Sequence, residues 1–160
     1  LGKQVARIAR AFGMEVAATS RSPIAEPGVI QLPLNELLAT SSVVSLHLPL
    51  TDQTRHLIGA RELGLMKPGA LLINTARGGL VDEAALANVL MEGRIGAGFD
   101  VLSKEPPSPG NPLLGLRLPN FILTPHVAWA SDEAIQALLA QLVENIDAFL
   151  AGTPRNLVQA

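Results

Sequence analysis

The chain has 160 residues, of which 48% are hydrophobic, so it can bury one core and we expect one domain. Its formal net charge of -2, with lysines and arginines scattered along the sequence, argues against nucleic acid and anionic membranes as partners. No apolar run approaches the roughly 18 residues that span a bilayer, and the absence of cysteine excludes disulfides and thiolate metal sites, so we expect a cytoplasmic protein.

Helix and strand patterns alternate in the first half of the chain. The opening helix is predicted because apolar residues recur at helical spacing and Gly13 is suited to ending it. In chain order, this half is predicted to contain a helix over 5–12, a strand over 16–19, irregular chain to 33, a short helix over 34–39 and a buried strand over 43–48.

The second half continues the alternation. The predicted elements are a helix over 59–65, strands over 70–75, 95–99 and 121–124, a helix over 83–91 and a long helix over 135–150. Asp82 is suited to capping the helix over 83–91, and Gly93 to ending it. Such alternation implies right-handed crossovers, so we predict an α/β, Rossmann-like, doubly wound and mainly parallel sheet with helices on both faces.

Polar residues follow the last three predicted strands. Arg77 comes after the third strand, Asp100 and Glu105 after the fourth, and His126 after the fifth. Because ligands bind at the carboxyl edge of an open parallel sheet, we expect these side chains to share one site. The sequence thus brings a cation, carboxylates and an imidazole to the edge where a small molecule would bind.

These residue types suit proton-coupled chemistry on a small acid. The planar fork of Arg77 matches a carboxylate, and His126 can exchange a proton in both directions. Glu105 can orient the imidazole, and no metal is required. Taken singly, each residue has a structural explanation: a surface ion pair for the arginine, a solvated loop for the glutamate, a packed side chain for the histidine. The combination at one sheet edge favours function.

Five ordered motifs, at 47–51, 54–59, 74–82, 100–107 and 124–128, carry a resemblance to a known family. The chain resembles the D-isomer-specific 2-hydroxyacid dehydrogenases, in particular their glycerate dehydrogenase and glyoxylate/hydroxypyruvate reductase branch. The resemblance implies an oxidoreductase that moves hydride between NAD(P)H and C2 of a small 2-oxo or D-2-hydroxy acid. It implies that Arg77 binds the substrate, that His126 is the acid/base and that Glu105 is its partner.

The resemblance also implies a dinucleotide groove. The implied cofactor-binding residues are Leu1, Gly2, Ser20, Arg21, Ser22, His47, Pro49, Thr54, Thr75, Ala76, Arg77, Asp100, His126 and Ala128. NAD enzymes of this fold usually place an acidic residue about 20 positions beyond the glycine turn. Here that position is Ser20, beside Arg21 and Ser22, and a guanidinium with hydroxyls suits a 2′-phosphate. We therefore predict NADP(H) in preference to NAD(H).

The resemblance further implies a longer protein. Gly2 corresponds to the third glycine of the phosphate-binding turn, so the first strand and the start of that turn are expected before Leu1. We predict a nucleotide-binding domain over 1–152, and a segment over 153–160 that leads back to a substrate-binding domain. The full-length protein is expected to be a homodimer, and the 160-residue chain alone is expected to be inactive.

Two other functions stay open from the sequence. A dinucleotide-sensing regulatory protein of the same fold would use the same groove without turnover. A formate dehydrogenase-like enzyme would carry glutamine at the position of Glu105, so the sequence disfavours it. His47 and His56 are predicted to be mostly structural, with His47 placed near the adenosine. Trp129 is predicted either to line the substrate pocket or to pack between domains.

Overall fold

A computed structural model describes residues 1–158 of the chain. It divides the chain into two compact units, Leu1–Pro125 and a second that begins at His126. The helices and strands of the first unit are α1 Gly2–Ala11, β1 Val16–Ala18, β2 Val29–Gln31, α2 Leu34–Thr40, β3 Val43–Leu46, α3 Ala60–Leu65, β4 Leu71–Asn74, a 3₁₀ turn at Gly78–Leu80, α4 Glu83–Met91, β5 Gly96–Phe99 and β6 Phe121–Leu123. The second unit contains α5, Asp132–Leu150.

All strand pairings in the first unit are parallel. Strands β3, β4, β5 and β6 pair in that order, with Asn74 of β4 opposite Phe99 of β5. Strands β1 and β2 form a separate parallel pair. The parallel, Rossmann-like sheet predicted from the sequence is confirmed. Its strands end at one edge, so the segments that follow β4, β5 and β6 start side by side.

Strand β2 corrects one sequence prediction. The stretch to Pro33 was expected to be irregular, yet Val29–Gln31 pairs with β1. The strand has only three residues, it follows Gly28 at φ 73°, and most of its side chains are exposed. A strand this short and this poorly buried has no alternating apolar pattern, so the sequence did not reveal it.

The core lies between the four-stranded sheet and helices α2, α3 and α4. Its fully buried leucines include Leu38 of α2, Leu63 of α3, Leu72 of β4 and Leu86 of α4. Burial of each such side chain contributes about 1.5–3 kcal/mol relative to its exposure to water. This packing fixes β4 and α4, which flank the segment that carries Arg77.

Helix α4 begins as the sequence predicted. The Asp82 side chain accepts hydrogen bonds from the backbone nitrogens of Ala84 and Ala85, both at 3.0 Å. An aspartate at this position satisfies amides that have no partner within the helix and stabilises it by about 1 kcal/mol. Asp82 is therefore the predicted N-cap, and the helix end next to the candidate site is well defined.

Helix α5 confirms the long helix predicted near the C-terminus. Ser131 caps it, because its Oγ accepts a hydrogen bond of 3.2 Å from the nitrogen of Ala134. Several apolar side chains along the helix are more than half exposed, among them Leu138, Leu142 and Ile146. Within residues 1–158, no helix combines the length and the apolar character that crossing a bilayer would need.

Candidate active site

The segment after β4 is shaped by Asn74, which is fully buried. Its Nδ2 donates to the carbonyl oxygen of Arg77 at 2.9 Å, and its Oδ1 accepts from the nitrogen of Ala76 at 3.1 Å. One side chain thus closes the turn that contains Thr75 and Ala76. The sequence analysis placed Asn74 in the motif at 74–82 but assigned it no role. The available signal was an asparagine at a strand end, where its side chain often substitutes for a backbone turn.

Arg77 lies at the end of this turn in an extended backbone conformation, φ -150° and ψ 135°. The residue is exposed, and its Nη1 donates to the carbonyl oxygen of Ala76 at 2.6 Å. The predicted anion-binding side chain is therefore located where a small acid could reach it.

Gly78 brings the Arg77 segment against the segment after β5. A Cβ at position 78 would lie 1.9 Å from the carbonyl carbon of Leu102 and 2.3 Å from the nitrogen of Ser103. The sequence suggested that Gly78 and Gly79 permit a tight turn. For Gly78 the observed reason is different, because the backbone of 102–103 occupies the space that a side chain would need.

Asp100 is buried at the end of β5, with 3% of its surface exposed. Its nitrogen donates to the carbonyl oxygen of Asn74 at 3.0 Å, and its Oδ1 accepts from Thr124 Oγ1 at 2.5 Å. The Thr124 nitrogen in turn donates to the carbonyl oxygen of Phe99 at 2.9 Å. Asn74 at the end of β4 thus fixes the Asp100 backbone, and Thr124 after β6 holds the Asp100 carboxylate. Thr124 therefore positions Asp100, a role that the sequence analysis did not assign to it.

Glu105 lies in the loop that follows Asp100. Its Oε1 accepts a hydrogen bond of 2.8 Å from the nitrogen of Leu102. The residue is exposed, so the carboxylate reaches the surface while one oxygen is held by the loop's own backbone. Arg77, Asp100 and Glu105 all follow the adjacent strands β4 and β5, as the sequence predicted.

His126 begins the second unit and is half-buried. Its φ is 56°, a left-handed conformation that residues other than glycine seldom adopt. The indole nitrogen of Trp129 donates to the His126 carbonyl oxygen at 2.8 Å. Trp129 thus holds the histidine backbone, a contact that neither sequence hypothesis for the tryptophan included. Such unusual backbone conformations persist where the surroundings fix them, and functional sites are enriched in them.

The turn after β1 contains the residues predicted to choose the cofactor. Gln31 of β2 orders it, because its Nε2 donates to the carbonyl oxygens of Ser20 at 3.1 Å and Ser22 at 3.3 Å. The Ser22 nitrogen also donates to Ser20 Oγ at 3.3 Å. Arg21 reaches across to Gln53 Oε1 at 3.4 Å. Gln31 was missed by sequence reasoning, since β2 itself was missed.

The loop after β3 contains Pro49 and Thr54, both predicted to line the groove. Thr54 Oγ1 donates to the carbonyl oxygen of Pro49 at 2.8 Å and accepts from the nitrogen of Thr51 at 2.8 Å. The Thr54 hydroxyl therefore shapes the loop. The backbone nitrogen of His56 donates to the carbonyl oxygen of Gly79 at 2.8 Å, and a structural role for the His56 side chain stays a prediction.

His47 lies beside the N-terminus of α1. A Cβ at Gly2 would lie 3.2 Å from the Cβ of His47, and the His47 Nε2 is 2.9 Å from Ser45 Oγ. Partial desolvation of the ring lowers the pKa of His47. Leu1 is 98% exposed, and its carbonyl oxygen accepts the first hydrogen bonds of the helix.

The predicted site residues are thus distributed over several places. Arg77, Asp100 and Glu105 follow β4 and β5, and Ser20 to Ser22 follow β1. Pro49 and Thr54 follow β3, Leu1 and Gly2 begin α1, and His126 and Ala128 belong to the second unit. Among the described residues, no cluster of three or more histidine, cysteine, aspartate or glutamate side chains could hold a metal ion. The chemistry offered at the end of β4 and β5 is anion binding and carboxylate hydrogen bonding.

Comparison with known proteins decides the family. Residues 1–128 match the NAD-binding domain of the D-isomer-specific 2-hydroxyacid dehydrogenases. The chain belongs to this family. A glycerate dehydrogenase of Methylorubrum extorquens is 54% identical over 100% of this chain and 50% of its own length. A glyoxylate reductase of Aeropyrum pernix is 44% identical over 99% of this chain and 48% of its own. The chain spans about half the length of these relatives.

Solved structures of family members have the same fold. An acyclic imino acid reductase in complex with NADPH and D-Arg superimposes with a TM-score of 0.88 at 42% identity, covering 99% of this chain and 50% of that one. The D-lactate dehydrogenase of Aquifex aeolicus, complexed with NAD and lactic acid, has a TM-score of 0.88 at 34% identity, covering 95% and 51%. These likenesses confirm the fold and the family that the sequence motifs indicated.

Proposed function

We propose that this chain is the nucleotide-binding part of an oxidoreductase that transfers hydride between NAD(P)H and C2 of a small 2-oxo or D-2-hydroxy acid. The observation that carries the proposal is the convergence of Arg77, Asp100 and Glu105 after the adjacent strands β4 and β5. The names of two relatives that are about twice as long as this chain, a glycerate dehydrogenase and a glyoxylate reductase, support it.

The residues suit each part of this reaction. The bound dinucleotide would supply or accept the hydride. The Arg77 fork would bind the substrate carboxylate, and it would orient the carbonyl group that is reduced. His126 would donate a proton to the carbonyl oxygen as negative charge develops there, and it would accept that proton in the reverse direction. Glu105 would hold the imidazole in one orientation and stabilise its protonated form.

The groups around the groove also suit a dinucleotide. The buried Asp100 carboxylate, fixed by Thr124, offers acceptors to the carboxamide of a nicotinamide. The hydroxyls of Ser20 and Ser22 and the guanidinium of Arg21 offer donors to a ribose or to its phosphate. No metal is needed for any of these roles.

The sheet order supports a longer nucleotide-binding domain. In the Rossmann order 3-2-1-4-5-6, strand 1 separates the pair equivalent to β2–β1 from the strands equivalent to β3, β4 and β5, and β6 extends that sheet by one more strand. We propose that the full-length protein supplies that strand and also a substrate-binding domain. The end of the nucleotide-binding domain at residue 152 stays a prediction. The role of the segment 153–160 stays a prediction too, and its residues 159–160 lie outside the described residues. The homodimer and the cytoplasmic location stay predictions as well.

A turnover assay tests the proposed reaction. The full-length protein should oxidise NADPH or NADH, followed by the absorbance of the reduced cofactor, when glyoxylate, hydroxypyruvate or pyruvate is added. Turnover with at least one of these acids supports an enzyme of this class. Tight dinucleotide binding without turnover of any of them would instead support the dinucleotide-sensing regulatory protein.

Replacing Arg21 with alanine tests the choice of cofactor. If Arg21 binds a 2′-phosphate, the variant should lose about ten- to a hundredfold in kcat/KM for NADPH, the loss expected for one charge-assisted hydrogen bond. Its kcat/KM for NADH should change little. Arg117→Ala is a suitable control, because the Arg117 guanidinium reaches only the neighbouring carbonyl oxygens of Leu114 and Leu116 in the described contacts. A parent protein that prefers NADH would contradict the prediction.

Replacing Glu105 with glutamine tests the partner of the acid/base. The change removes a negative charge and keeps the shape of the side chain. Because Glu105 would orient the imidazole that donates the proton, the variant should lose about tenfold in kcat for 2-oxo acid reduction. Glu92→Gln, at the exposed end of α4, should keep the kcat of the parent protein. An unchanged kcat in the Glu105 variant would assign this residue to structure.

A further inference from the structure

Glu83, the first residue of α4, is a buried carboxylate that the reaction described above does not use. Only 9% of its surface is exposed. Its Oε1 accepts from the nitrogen of Ser103 at 2.5 Å. Its Oε2 accepts from Ser103 Oγ at 2.9 Å and from Asn111 Nδ2 at 2.7 Å. Both carboxylate oxygens are therefore engaged with one loop, twenty or more residues away in sequence.

The loop that Glu83 holds is the one that carries Glu105. Ser103 and Asn111 lie on either side of Glu105, so the carboxylate holds this segment on both sides of that residue. Leu102, next to Ser103, donates its backbone N–H to Glu105 Oε1. A direct series of contacts therefore runs from the N-terminus of α4 to the carboxylate proposed to orient the acid/base.

The same loop is also fixed on its other side. The backbone at 102–103 packs directly on Gly78, one residue after Arg77. Asn111 is itself oriented, because its Oδ1 accepts from the nitrogen of Leu113 at 2.9 Å, and Leu113 is buried. The loop is thus held between α4 and the segment that carries the anion-binding arginine.

A charged group is needed for this arrangement. Three donors converge on the two Glu83 oxygens, whereas a glutamine would offer one acceptor oxygen and one competing donor group. The position at the start of α4, where backbone N–H groups give the helix a partial positive charge, also favours a carboxylate. Burying a charge is costly unless hydrogen-bond donors surround it, and Ser103 and Asn111 supply those donors to Glu83. The carboxylate and the loop therefore stabilise each other.

We propose that Glu83 is a positioning residue of the reaction: it fixes the segment 102–111 on α4 and so sets the place of the Glu105 carboxylate. The inference rests on the proposed function for its catalytic consequence. Its structural part, the attachment of the loop by Glu83, can be tested on its own.

Amide hydrogen exchange tests the attachment without any substrate. In the full-length protein, Glu83→Gln should speed exchange in the segment 102–111 by about tenfold, the loss expected when buried donors lose a charged acceptor. Glu92→Gln makes the same chemical change at the other end of α4, where the side chain is exposed, and should leave this segment unchanged. Ser103→Ala should speed exchange in the same segment by a smaller factor. If Glu83→Gln does not fold, Ser103→Ala decides the question.

Steady-state kinetics test the consequence for the reaction. Glu83→Gln should lower kcat for 2-oxo acid reduction about tenfold and leave KM for the dinucleotide unchanged. Adding Glu105→Gln should then cause no greater loss than Glu105→Gln alone, because both changes act through one carboxylate. If the losses in kcat from Glu83→Gln and Glu105→Gln multiplied in the double variant, the proposal would be overturned. Unchanged amide hydrogen exchange at 102–111 in Glu83→Gln would also overturn it. A parent protein without 2-oxo acid reduction would reject the proposed function, whereas the exchange result would still decide whether Glu83 holds the loop.

Discussion

Replacing His126 with asparagine should lower kcat for 2-oxo acid reduction by about two to four powers of ten, the usual contribution of a general acid. Asparagine is the sharper choice than alanine, because it tolerates the left-handed backbone that His126 adopts at φ 56°. The measurement is steady-state turnover of the full-length protein with a 2-oxo acid and reduced cofactor.

His56→Asn provides the matched control. His56 has a similar left-handed conformation, φ 51°, and its described contact is a backbone hydrogen bond to Gly79. The control should therefore keep its turnover within about a factor of two. If the two histidine variants lost the same small fraction of activity, His126 would have no role in proton transfer.

Replacing Gly78 with alanine should cost about 3 kcal/mol in the free energy of unfolding, at the upper end of the range for overpacking. The added Cβ would lie 1.9 Å from the carbonyl carbon of Leu102, and backbone cannot rotate away as a side chain can. If the protein still folds, the 102–103 segment must move away from Arg77. A displacement of about 1 Å between positioned groups can lower kcat/KM about a hundredfold.

Gly64→Ala separates this effect from the general cost of replacing glycine. Gly64 lies within α3, and a Cβ there would meet open space. Alanine at this position should stabilise the protein by about 0.5–1 kcal/mol, because the unfolded chain loses freedom and the helix gains propensity. Denaturant unfolding of both variants measures whether the free energy of unfolding falls for Gly78→Ala and rises for Gly64→Ala. Equal unfolding midpoints for Gly78→Ala and the parent would show that the 102–103 segment can move without a cost in stability.

Elements with a strong local pattern could be predicted from the sequence. Helix α4 was placed correctly because Asp82 is a clear capping residue and Gly93 is suited to ending the helix. Strands β4 and β5 are short apolar runs that end in polar residues, so the positions of Arg77 and Asp100 at one sheet edge followed from topology.

The support around the site could not be predicted in the same way. Gln31 and Glu83 act through hydrogen bonds whose partners are brought near them by the fold. Glu83 reaches residues about twenty to thirty positions away, and no local pattern records such a pairing. The close approach at Gly78 is likewise visible only when two loops are brought together. A sequence thus gives clear signals for the residues that could react, and weaker signals for the residues that hold them in place.

The all-parallel pairing has a consequence for how this protein folds. Val43 pairs with Leu71, Leu71 with Gly96, and Ala97 with Phe121, so each neighbouring strand lies two dozen or more residues along the chain. No hairpin can start the sheet, and the entropy of closing long loops must be overcome before these strands meet. The ends of β4 and β5 come together only when the sheet has formed. The binding edge is therefore a late product of folding, and a chain that has not completed its sheet has no edge with which to recruit its cofactor.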